Sequence, residues 1–153
     1  MQIQKAVDSR DFDSLEAIVK KETGAVRFLL GLSYQADPEV RRTASRGIAL
    51  AGKYHKKLVR DVIRRLIWAM NDESGTNALT APEVLNAIAE EKPDLLLPMV
   101  PDLIRLAGDE GLHDGLSETL HKVSEAYPGK VGGRLTKALR KRIRQDDEDE
   151  EYS

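Results

Sequence analysis

Apolar residues recur along this chain at helical spacing, and the strict alternation of a half-buried strand is nowhere sustained. Glycine and proline divide the pattern into segments of roughly 12 to 18 residues. The clearest start is Asp37-Pro38-Glu39-Val40, where Asp37 fits a helix N-cap and Pro38 the first helical position. Val40, Ala44, Gly47, Ile48 and Ala51 then fall on one face, and Gly52 ends the segment. A second helix over 55–70 is predicted to bury Leu58, Val62, Leu66 and Ile67. A third opens at Thr80-Ala81-Pro82-Glu83, whose Thr-x-x-Glu spacing predicts a capping box, and runs through Val84, Ile88 and Ala89 to Glu91. Further helices are predicted over 11–22, 25–35, 94–108, 112–126 and 130–145. The expected class is all-α.

The turns between these segments repeat. Asp37, Asp72 and Asp109 each follow an apolar helix, at intervals of 35 and 37 residues. RRLIWAMND (64–72) aligns with VPDLIRLAGD (100–109), and ALRKRIRQD (138–146) continues the register. The midpoints recur too: Lys92-Pro93 and Tyr127-Pro128 lie 35 residues apart, each between a first and a second helix. The implied unit is helix, short turn, helix, Asp-containing turn. The alternative is an ordinary helical bundle with evenly spaced turns.

The stretch DPEVRRTASRGIALAG (37–52) resembles the first helix of a HEAT-like repeat. PDLLLPMVPDLIRLAGD (93–109) is similar to the second helix of such a unit, in which Pro98 and Pro101 are expected as kinks. RRLIWAMNDESG (64–75) followed by APEVLNAIAEEKPDLL (81–96) resembles a group of small prokaryotic HEAT-like proteins with an Asn-Asp-Glu-Ser-Gly turn. The resemblance covers about 11–145 and implies a short α-solenoid of about four helix pairs, with 1–145 as the repeat domain, a scaffold whose inner helices form the docking surface. It does not imply a particular task.

Composition narrows the classes further. The chain has 153 residues, no cysteine and 5% aromatics, so disulfide and thiolate chemistry are excluded, and the core must be aliphatic. Met1 to Arg10 lacks an apolar core of signal-peptide length and no run approaches a membrane span, so the expected compartment is the cytoplasm. The net charge of −2 conceals an asymmetry: residues 146–153, DDEDEEYS, hold six of the 26 acids and are expected to form a disordered acidic tail. The remaining body carries 24 basic against 20 acidic residues, and within 41–65 nine Lys or Arg face the single acid Asp61.

Candidate functional residues lie around the second predicted helix. Arg60, Arg64 and Trp68 fall at i, i+4 and i+8, one stripe displaced from the apolar one, with Asp72 a turn beyond. Trp and Arg dominate binding hot spots, so this stripe is the expected contact for a partner protein, together with Asp72 and Glu73 in the following turn. The competing reading places Trp68 half-buried between repeats with Arg64 stacked on it. The basic run in 41–65 points alternatively to nucleic acid, with the acidic tail screening it. Trp68 and Asp72 also resemble the concave-surface pair of HEAT-like alkylpurine DNA glycosylases, but this sequence lacks a set of aromatics for a base pocket. His113, Asp114, Glu118 and His121 are expected on a solvated face of helix 112–126, opposite Leu116, Leu120 and Val123. No phosphate loop, nucleophile elbow or HExxH is present, and the expectation is a non-enzymatic protein without metal or cofactor.

Overall fold

The computed structural model describes residues 2–71 and 79–128, and within them the chain is all-helical. Two helices start where an aspartate side chain satisfies a free backbone N–H group. The Asp11 carboxylate accepts from the Ser14 N–H at 3.1 Å and from its hydroxyl at 2.6 Å, beginning α2, Phe12–Lys21. Asp37 accepts from the Glu39 N–H at 2.9 Å, with Pro38 in the first turn of α4, Pro38–Ala51. Between them lies α3, Gly24–Leu32, which stops at the buried Ser33, whose hydroxyl donates to the Leu30 carbonyl at 2.6 Å. The predicted segments over 11–22, 25–35, 37–52, 55–70, 80–91 and 112–126 are thus found within a few residues, the later ones as α5, Lys56–Asn71, α6, Ala81–Glu91, and α8, His113–Ala126.

Three features depart from the sequence reading. The first is a helix the pattern did not predict, α1, Gln2–Asp8, which buries Ile3, Ala6 and Val7 on one side. It closes with Asp11 N–H donating to the Ala6 carbonyl and Arg10 N–H to the Val7 carbonyl, a Schellman arrangement. Arg10 takes the left-handed position at φ 53°, where glycine is usual, and its guanidinium lies 2.7 Å from Glu39. The second is the predicted helix 94–108, which is not one kinked helix. It divides into a 3-10 segment, Pro93–Met99, and α7, Val100–Leu106, because Pro98 has no N–H to donate and Pro101 fits only a first turn. The third is the expected capping box. Thr80 makes no side-chain cap bond, and Glu83 instead accepts twice at 3.2 Å from the Arg41 guanidinium on α4. A charge-assisted tertiary bond outcompetes the local one. The predicted helix 130–145 and the acidic tail lie outside the described residues.

The packing contacts sort the helices into two sets, a first row and a second row. α2 packs beside α4, α4 beside α6, and α6 beside α8. The second row consists of α3, resting on α4, then α5, against α4 and α6, then the 3-10 segment with α7, against α6 and α8. Leu15, Leu29, Ile48, Ile63, Leu85 and Leu116 are fully buried between the rows, each removal from water contributing about 1.5–3 kcal/mol. The first-row helices α2, α6 and α8 end alike: Glu22, Lys92 and Tyr127 each have extended-to-bridging backbone and donate their N–H to a carbonyl four residues back. For Lys92 and Tyr127 the following proline enforces this, since it disfavours helical backbone in the residue before it. Asp109 accepts from the Gly111 N–H at 2.9 Å, the same two-residue turn that Asp37 makes.

Close approach between neighbouring helices needs small residues. A Cβ on Gly47 would lie 2.7 Å from Leu29 and 2.9 Å from Leu15, and one on Gly115 would lie 2.5 Å from the Pro82 ring. Leucine side chains can shift, whereas a pyrrolidine ring held on α6 cannot. Replacing an ordinary helix glycine by alanine gains about 1 kcal/mol. Gly115→Ala is therefore expected to have the opposite sign, destabilising by about 1–3 kcal/mol in urea unfolding.

Ion pairs also link α2, α4, α6 and α8 and the turn after α4. Arg46 meets Glu91 at 3.0 Å, Lys122 meets Glu90 at 2.7 Å, and Glu16 accepts from Lys53 at 3.2 Å and from the Tyr54 hydroxyl at 2.9 Å. The Tyr54 hydrogen bond, helped by Lys53, holds the Glu16 carboxyl below the usual glutamate value of 4.5. A depressed carboxylate stabilises the fold above its unfolded pKa, and that contribution disappears as pH falls through the folded value. Melting temperature on acidification from about pH 6 to about pH 3 is expected to fall less in Glu16→Gln than in the parent. Equal falls would show that Glu16 carries none of the acid sensitivity.

Candidate protein-interaction surface

α5 carries Lys56, Lys57, Arg60, Arg64 and Arg65 against one carboxylate, Asp61. Its buried face consists of Val59, Val62, Ile63, Leu66, Ile67 and Met70. The sequence reading included Val62, Leu66 and Ile67, missed Val59 and Ile63, and placed Leu58 fully inside, where it is half-buried. The centre of the apolar face therefore lies about one residue away from the predicted stripe. That rotation leaves Arg60, Arg64 and Trp68 together on the solvent side.

Trp68 is 71% exposed. The half-buried alternative, with Arg64 stacked on the indole, is not what the structure contains: Arg64 Nη1 donates to Asp61 Oδ1 at 3.1 Å. Cations do cover other aromatic rings. Lys20 lies 5.3 Å from the Tyr54 ring centre and Arg46 lies 5.5 Å from that of Phe12. The indole of Trp68 thus keeps a large apolar face in water on the same stripe as Arg60 and Arg64. Asp72 and Glu73, the other two predicted contact residues, lie outside the described residues.

The local electrostatics of α5 run against its own stability. Lys56 and Lys57 stand in the first turn with no acid there, against the positive end of the helix dipole, at a cost of a few tenths to about 1 kcal/mol each. Among the described residues, Arg64 is the only one of the five cations on α5 with a salt bridge. Burial raises the Tyr34 phenol above its ordinary 10.0, and the Arg65 guanidinium opposes that rise.

Between α3 and α5 runs a groove of about 450 Å³ that sequence reasoning missed. Val26, Leu30, Leu58 and Val62 line it, with Arg27, Arg65 and Asp61 among the polar residues beside them. The apolar spacing on each helix was legible, but the separation of two helices 30 residues apart is set by packing on α4 and α6. A second groove, of about 610 Å³, crosses the first row over Phe12, Arg46 and Asn86, and its arginines are engaged: Arg10 and Arg42 with Glu39, Arg46 with Glu91.

The histidine-bearing face of α8 is only partly as expected. Asp114, Glu118 and His121 are exposed, but His113 is half-buried and its Nδ1 lies 3.1 Å from the Ala107 carbonyl. His121 meets Glu125 at 3.0 Å and Glu118 meets Lys122 at 3.3 Å. Among the described residues no three His, Cys, Asp or Glu side chains are grouped to hold a metal ion, and no helix is long and apolar enough to cross a membrane.

No family model matches the chain, and neither a curated protein nor a solved structure is significantly similar to it. The surface must therefore be read from its own chemistry. As the single tryptophan, Trp68 reports on that surface directly. Its emission maximum and acrylamide quenching are expected to approach those of free indole in water; a blue-shifted, protected emission would contradict its exposure.

Proposed function

We propose that this chain is a non-enzymatic binding scaffold, a short α-solenoid of HEAT-like helix pairs that docks a partner protein in the cytoplasm. The two-row order of the helices and the like endings at Glu22, Lys92 and Tyr127 support the repeat reading. The contact surface is the solvent-facing side of α5 at Arg60, Arg64 and Trp68, taken as part of the concave surface, with Asp72 and Glu73 as its continuation in sequence. The observation that carries this reading is the 71% exposure of Trp68. A large indole left in water beside arginines matches the composition of interface hot spots, where burial on binding recovers the apolar area.

A second reading, association with nucleic acid, draws on the five cations of α5. Its requirement is a continuous track of phosphate contacts with steep salt dependence.

The two readings separate in one experiment. In a pull-down from the native cell, Trp68→Ala combined with Arg64→Ala is expected to lose a specific protein partner while helicity by circular dichroism is unchanged. Each truncation at a hot spot is worth about 2 kcal/mol or more, a loss of at least about 30-fold in affinity per residue. Unchanged protein partners in the double variant would overturn the scaffold reading, and nuclease-sensitive capture would favour nucleic acid.

A further inference from the structure

The groove between α3 and α5 combines two features that seldom occur together on a solvated surface. Its floor is aliphatic: Leu30 and Val62 are buried beneath it and Leu58 is half-exposed within it. Exposed arginines, Arg27 from α3 and Arg65 from α5, flank that floor from opposite helices. The single carboxylate of the groove, Asp61, is already engaged by Arg64. What remains is an apolar trough under unneutralised positive charge. Along the same edge of α5, two helical turns beyond Asp61, stands the exposed Trp68.

Resting on the scaffold reading above, we propose that this groove receives an acidic segment of the partner protein. Aliphatic or aromatic side chains of that segment seat on Val26, Leu30, Leu58 and Val62, and flanking carboxylates meet Arg27 and Arg65. Trp68 then covers the end of the segment as it leaves the groove.

Three observations select this occupant. Charge complementarity requires an anion, since the uncompensated charges on α5 and at the α3 rim are all cationic. The volume of about 450 Å³ lies in the range that encloses a few side chains rather than a whole element. The aliphatic floor disfavours nucleic acid, because a strand without sequence readout gains its affinity by stacking bases on aromatic platforms, and Val26, Leu30, Leu58 and Val62 offer none. A phosphate chain would satisfy the arginines and leave the floor in water. An acidic segment with apolar residues satisfies both.

The test uses the full chain. A displayed library of random peptides is selected on it, and enriched sequences are synthesised with a fluorescein label for anisotropy titration. Enriched peptides are expected to combine Asp or Glu with Leu, Ile or Phe, and to bind more weakly as salt is added. Arg27→Glu with Arg65→Glu is expected to weaken that binding by at least about tenfold with the helical circular dichroism spectrum retained. Leu58→Ser, which changes the floor without changing charge, is expected to weaken it as well. Should the double reversal unfold the protein, Arg65→Gln provides the graded loss at an exposed side chain. Enrichment of basic or uncharged peptides would overturn the proposal, as would affinity indifferent to these variants or complete displacement by a single-stranded oligonucleotide. Peptides insensitive to the groove variants yet lost in the Trp68→Ala, Arg64→Ala protein would overturn the groove and leave the α5 reading standing. No enrichment at all, with no partner captured from the cell, would remove both.

Discussion

α4 has helices on nearly every side, α1, α2 and α3 as well as α5 and α6, and it can have them only because its side chains are small. Ala44, Ser45, Gly47, Ala49 and Ala51 are all buried, and they are spread around the helix rather than along one stripe. Gly47 lets Leu15 and Leu29 approach from two neighbouring helices at once, and Gly52 leaves room for Leu95 from the 3-10 segment. Ridges of this kind allow backbones to draw close, so that dispersion contacts accumulate on all sides of one element. The positions of the helices on either side follow from that approach.

The polar groups of α4, α6 and α8 are used differently from those of α5. Along the first row, charge is used internally. Arg41 reaches Glu83 and also donates to the carbonyls of Gln35 and Ala36, so one guanidinium fixes the turn before α4 to the start of α6. Thr119, fully buried, donates to Asn86 at 2.6 Å between α6 and α8. Such pairs add little stability where they are exposed, but they fix the angular register of adjacent helices. α5 is different. On α5 the cations are directed to solvent beside an uncovered indole, and the first-turn lysines oppose the helix dipole.

Helix existence was legible because it depends on local chemistry. Asp37 and Pro38 start α4 as their cap and first-turn preferences dictate, and the prolines after Lys92 and Tyr127 end α6 and α8. The recurrence of Asp37 and Asp109 also reflects local physics, since each carboxylate closes a turn two residues on. The stripe of Arg60, Arg64 and Trp68 followed from helical periodicity alone, because residues four apart share a face whatever packs behind them. The short α1 escaped notice because seven residues offer only Ile3, Ala6 and Val7 as a pattern, too little to distinguish from chance.

What the sequence determined by itself was the all-helical class, the starts and ends of most helices and the solvent-facing stripe of α5, each set by interactions within a few residues. Tertiary structure alone decided three things. Glu83 abandons its capping role for Arg41, since a charge partner from another helix outweighs a weak local bond. Trp68 stands in water rather than between helices, since the apolar face of α5 is filled by Val59 and Ile63 and turns the indole outward. The groove beside α5 exists because α3 and α5 are each held by first-row helices, and the gap between two such elements has no counterpart in the order of residues along either one.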